Sequence, residues 1–143
     1  MTPGMTRPPP APRPVLLVSS DLLFRSRVDD VARRAGLELR VARTPEQFER
    51  HLANGLVPSL AVVDLECDTL DPAGAIARLR AMPWGPKLRI VGYAGHTNEP
   101  AIRAGRAAGA SRVLARSAFV AQLPVLLARA AEDERGRGGA AGP

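Results

Sequence analysis

The sequence predicts a doubly wound α/β domain, a five-stranded parallel sheet with helices on both faces. Three observations predict it. Residues 14–19 and 59–65 contain runs that are apolar throughout, as strands covered on both faces are. The stretches between strand-like runs carry apolar residues at helical spacing. The two patterns alternate five times between Pro14 and Ala131, and right-handed crossovers then leave one open sheet.

Each element has a local reason. Residues 14–19 form a buried strand, and Asp21 caps a helix to about Ala35, with Leu23, Phe24, Val28 and Val31 facing inward and Gly36 as its stop. Residues 37–42 alternate as a strand does. Thr44-Pro45-Glu46-Gln47 opens a second helix, with a Thr cap, Pro in the first turn and Gln three residues after the cap. It turns Phe48 and Leu52 inward and ends at Asn54-Gly55. Residues 59–65 are the third strand, and a helix over 71–82 buries Ile76 and Leu79. Pro83-Trp84-Gly85-Pro86 breaks the chain before a strand at 88–93. Asn98-Glu99-Pro100 starts a helix that stops at Gly109. A short strand at 112–115 and a helix over 122–131, with Pro124 in its first turn, complete the set.

Outside this unit, residues 1–13 are proline-rich and read as an extended, mobile arm, with Met5 a second candidate start. Its PPPAPRP stretch has the composition of a polyproline ligand but reads as a leader. Residues 132–143 read as a disordered tail, with no further domain after them.

Composition narrows function. A chain of 143 residues, 45% apolar, buries a substantial core, but only 3% is aromatic, so Leu, Val, Ile and Ala fill it around Phe24, Phe48 and Phe119. One cysteine, Cys67, allows neither an internal disulfide nor a cysteine metal site. Nothing approaches a membrane span in length, and no apolar leader opens the chain, so a cytoplasmic protein is expected. The net charge is +6, with Lys87 the only lysine. Arginines spread over every helix and both tails fit the codon bias of a GC-rich genome. The other reading is a basic surface for nucleic acid or an acidic partner.

The strand ends carry the chemistry. Asp64 closes Ala61-Val62-Val63-Asp64, at the rim where doubly wound folds place reactive groups. Together with Val15-Leu16-Leu17-Val18, Asp21-Leu22-Leu23-Phe24-Arg25 and Ala107-Ala108-Gly109-Ala110-Ser111, this run resembles the receiver domains of response regulators, over roughly 15–131. The resemblance implies the flavodoxin-like receiver fold. It also implies a phosphoacceptor aspartate, an acidic pair for magnesium, a hydroxyl switch residue, a lysine and a following proline. Asp64 matches the phosphoacceptor. Ser19 and Ser20 stand at the acidic pair, with Asp21 just after. Ala94 stands at the hydroxyl switch, Val113 at the aromatic switch, Arg116 at the lysine and Ser117 at the proline.

Phosphoryl transfer to a carboxylate gathers negative charge that a divalent cation and a fixed base must offset. Magnesium wants charged oxygen donors in octahedral array, and two serine hydroxyls beside one aspartate supply them poorly. The sequence therefore predicts a stand-alone pseudo-receiver, without catalysis or cofactor, acting through protein–protein contacts in bacterial signalling. The resemblance implies a partner face formed by the fourth helix, fifth strand and fifth helix, which Arg103, Arg106 and Arg112 would make basic here. A second copy of the chain is left open as a partner. An Arg116–Asp64 ion pair is expected to replace the lysine contact.

Two alternatives stand beside this reading. One is a phosphorylatable single-domain regulator with Asp64 as acceptor and magnesium held with Asp21 and Glu66. The other is an arginine-rich nucleic-acid module using the tails and the fourth helix. His96 in the loop after the fourth strand, His51 on the outer face of the second helix, Cys67 and Trp84 carry no chemistry in this reading.

Overall fold

Parallel strands without polar positions need helices on both sides, and the chain supplies them in strict alternation. The computed structural model describes residues 10–140, with side chains to Arg137; the proline-rich residues 1–9, Met5 among them, and residues 141–143 lie outside the described range. The strands are β1 (Val15–Val18), β2 (Leu39–Ala42), β3 (Leu60–Asp64), β4 (Ile90–Ala94) and β5 (Arg112–Ala115). The helices are α1 (Leu22–Arg34), α2 (Pro45–Ala53), α3 (Pro72–Arg80), α4 (Glu99–Ala108) and α5 (Arg116–Ala140), with a 3-10 turn at Gly85–Lys87. All pairings are parallel, in the order β2-β1-β3-β4-β5. The order reverses between β1 and β3, and β1, β3 and β4 lie side by side with their carboxyl ends together.

Two cores flank the sheet. On one side α1 and α5 cover Val15, Leu17, Val62 and Tyr93 with Phe24, Val28, Phe119 and Leu127. On the other, α2, α3 and α4 cover Leu16, Val63 and Ile90 with Phe48, Ile76 and Leu79. Phe119 and Leu127 are fully buried, each contributing about 1.5–3 kcal/mol of apolar burial. The caps form as the sequence implies: Asp21 accepts from the Phe24 amide, Thr44 from Gln47 and Asn98 from Ala101. Gln47 reaches back to the Arg43 amide at 2.8 Å.

Four expectations are corrected. Leu23 does not face inward: it is 87% exposed, because Phe24 alone points to the core at the start of α1 and Leu23 turns away from it. The last helix starts at Arg116 instead of 122, so Pro124 lies inside it; Phe119, buried in its first turns, anchors the early start. That helix also runs through 132–140, where a disordered tail was expected. Glu134 explains the extension, since its buried carboxylate accepts from the Arg13 amide at 2.6 Å and pairs with Arg137 at 3.0 Å. The end of the N-terminal arm is thereby fixed to α5 as the chain enters β1. His51, expected on an outer face, is half-buried, with Nε2 2.9 Å from the Val41 carbonyl.

Candidate functional site

The carboxyl ends of β1 and β3 bring Ser19 and Asp64 together. Asp64 is only 5% exposed. One carboxylate oxygen accepts from the Ser19 hydroxyl at 3.2 Å, and the other from the Glu66 amide at 3.0 Å. Burial pushes the Asp64 carboxyl above the usual carboxylate range, while these two hydrogen bonds and the nearby Arg116 charge pull it back. Ser19 is equally buried and accepts from the Asp21 amide at 3.1 Å, so its hydroxyl serves the turn into α1 as well as Asp64. Ser20 is half-buried, with its hydroxyl 4.0 Å from the Cys67 sulfur. Cys67 is itself buried.

The expected Arg116–Asp64 ion pair does not form. Arg116 leaves β5 directly into α5, and its guanidinium lies 3.8 Å from Asp21 and 3.6 Å from Glu66. It also lies over two rings, 5.4 Å from the centre of Phe24 and 5.3 Å from that of Tyr93. The physical reason is burial: Asp64 is tucked beneath the rim and satisfied by neutral donors, whereas Asp21 and Glu66 stand at the rim, where a planar cation on an aromatic shelf reaches both. Phe24, Tyr93 and Phe119 build that shelf, with ring centres 4.6–5.6 Å apart.

Glu66 has a structural part that its place in the sequence did not disclose. Its carboxylate accepts from the Gly95 amide at 3.0 Å and from the Asn98 side chain at 2.8 Å. Those two bonds, aided by Arg116, hold it below the usual glutamate range. The loop after β3 is thus fastened to the loop after β4. Tyr93 is a second site residue that the sequence pattern does not single out. It stands opposite Asp64 in the β3–β4 register, and its buried hydroxyl makes no hydrogen bond. Burial drives its phenol far above the ordinary range. Ser19 lies near enough to affect it, without the geometry of a bond.

The remaining positions divide cleanly. Ala94 is fully buried at the end of β4, and Val113 is half-buried on β5 opposite Gly92. Arg103, Arg106 and Arg112 are all exposed on α4 and β5. His96 lines an open cleft of about 550 Å³ with Gly95, Arg116 and Val120. Trp84 is half-buried against the α2–α3 side of the core.

The residues present do not fit a magnesium ion. Asp64 is committed to Ser19 and Glu66, Asp21 to the α1 cap and Arg116, and Glu66 to Gly95, Asn98 and Arg116. Among the described residues no three His, Cys, Asp or Glu side chains converge as a metal cluster. No described helix is long and apolar enough to cross a membrane.

No family model and no curated protein sequence matches the chain. Solved structures do. A response regulator from Chloroflexus aurantiacus, itself assigned only provisionally, superposes with a TM-score of 0.71 at 25% identity, covering 85% of this chain and 98% of that one. The receiver domain of an HD-domain protein from Pseudomonas fluorescens gives 0.72 at 19% identity, over 93% and 96% of the two chains. The receiver domain of a sensor histidine kinase from Pseudomonas aeruginosa, described with a magnesium ion in its active-site cleft, gives 0.70 at 20% identity, over 85% and 99%. The fold is that of response-regulator receiver domains, a flavodoxin-like five-stranded α/β sheet.

Proposed function

We propose that this receiver-fold chain is a pseudo-receiver, which signals by binding other proteins without carrying a phosphoryl group. The observation that supports this most is the position of Arg116. It bridges Asp21 and Glu66, the two carboxylates that would have to join Asp64 around a divalent ion, so a fixed internal cation already offsets their charge. Phosphoryl transfer to Asp64 would need that charge offset to be available to the incoming phosphoryl oxygens. Ala94 has no hydroxyl with which to answer a phosphoryl group, so the coupled switch is missing too. The chain is then held in one state, and partners read its surface. Arg103, Arg106 and Arg112 on α4 and β5 are one such face, and the cytoplasm is the compartment in which it would work.

Magnesium titration followed by amide NMR tests this reading. Ser20, Asp64 and Glu66 amides are expected to show no saturable shift. Saturable shifts at these three positions, abolished by Asp64→Asn, would overturn it.

A further inference from the structure

β2 is one edge of the sheet, and its exposed side is basic. Arg25 from α1, Arg40 from β2, and Arg43 and Arg50 at α2 converge on a cavity of about 360 Å³ beside Leu39 and Val41. A second cavity of about 400 Å³ shares Arg40 and His51 and extends the groove toward Pro14 and Gly55. The groove therefore follows the strand, an elongated shape about 13 Å long for four residues. Arg40 pairs with Glu38 at 2.7 Å. Arg25, Arg43 and Arg50 are exposed, and no carboxylate of the described residues pairs with them, although Glu46 is a near neighbour on α2.

The strand edge itself offers backbone groups. The carbonyls of Glu38 and Ala42 accept from the amides of Val15, at the start of β1, and Ser19, just past its end, so by the two-residue alternation those of Leu39 and Val41 face away from the sheet. His51 occupies the Val41 carbonyl, and Gln47 the Arg43 amide. The Leu39 amide and carbonyl and the Val41 amide are left for a partner. Cations stand on both sides of this edge, Arg25 on the α1 side and Arg43 and Arg50 on the α2 side. No Phe, Tyr or Trp lines either cavity, and the one aromatic ring there, the His51 imidazole, is held against the Val41 carbonyl, so bases would find little stacking surface.

We infer that the β2 edge is a docking groove for an extended, acidic segment of a partner protein. The segment lies along β2, takes the free backbone groups, and sends carboxylates to Arg25 on one side and to Arg43 and Arg50 on the other. This rests on the protein-binding reading above and adds to it a surface and a partner chemistry. Phosphoryl uptake at Asp64 would sink the pseudo-receiver reading and leave the groove untouched.

The test is fluorescence anisotropy with a labelled twelve-residue peptide alternating Glu with Val and Thr, beside a single-stranded oligonucleotide of equal charge. The full chain is expected to bind the peptide at low salt, and Arg43→Glu with Arg50→Glu to weaken binding roughly tenfold or more. Arg103→Glu with Arg106→Glu, matched in charge but on α4, is expected to weaken it much less. Absence of peptide binding at low salt, or equal losses in the two double variants, would overturn the inference. So would tighter binding of the oligonucleotide than of the peptide. All four positions are exposed, and circular dichroism of both variants verifies that the fold is kept.

Discussion

Asp64 carries its charge at a cost. Its carboxyl is pushed above its ordinary value near 3.8 by burial, so the folded chain binds that proton more tightly than the unfolded chain does. The stability tied to the protonated form is complete below the ordinary value and falls away as pH rises through the shifted one. Asp64→Asn, neutral throughout, is therefore expected to raise the melting temperature at neutral pH, with the difference shrinking as pH is lowered toward 3.8. A lower melting temperature at neutral pH would show that the Ser19 and Glu66 bonds outweigh burial. Tyr93 poses a related question. Its buried hydroxyl has no partner, so Tyr93→Phe is expected to leave stability unchanged or to raise it by about 1 kcal/mol in chemical denaturation. A loss of that size would reveal a bond to Ser19. At this scale the sequence names the strand-end residues but not their pairing. Arg116 chooses Asp21 and Glu66 because Asp64 is buried beneath them, and burial of one carboxylate relative to another is a property of packing.

Elements meet through small side chains. Leu65, immediately after Asp64, lies in a slot between Gly92 of β4 and Gly105 of α4. A Cβ at Gly105 would come within 2.8 Å of the Leu65 side chain, and one at Gly92 within 3.0 Å. Gly105→Ala would gain roughly 1 kcal/mol of helix propensity. With Leu65 held on both sides, overpacking is expected to exceed that gain and leave a net loss of about 1 kcal/mol, measured by denaturant unfolding. The small-residue run on α4 is legible in sequence as a site of close approach; the residue that fills the gap is not. α5 gives the converse lesson. In sequence the acidic stretch near 132 reads as tail because Glu134 has no local partner except Arg137. Its other partner, Arg13, is more than a hundred residues away, and no local pattern shows it. Glu134→Ala should cost roughly 1–3 kcal/mol and speed hydrogen exchange at the Arg13 amide, which now donates to that carboxylate. Unchanged exchange there would mean that the end of the arm is held by something else.

The architecture of the whole molecule is largely legible in its sequence. Apolar strands alternating with amphipathic helices leave few topologies, and the order β2-β1-β3-β4-β5 is the doubly wound one. Strand ends must then gather at one rim, which places Ser19, Asp64 and Ala94 near each other. Surface character was less legible. The arginines are scattered in sequence, yet the fold brings Arg25, Arg43 and Arg50 to one edge while Arg103, Arg106 and Arg112 occupy another. The rim comes down to one arrangement: a buried carboxylate at the end of β3 that we propose carries no phosphoryl group, held by neutral donors and overlooked by the Arg116 guanidinium. Incubation with a small phosphodonor and magnesium, followed by intact-mass spectrometry, tests this most directly. The wild-type chain is expected to keep its mass unchanged. A gain of one phosphoryl group that disappears in Asp64→Ala would contradict it.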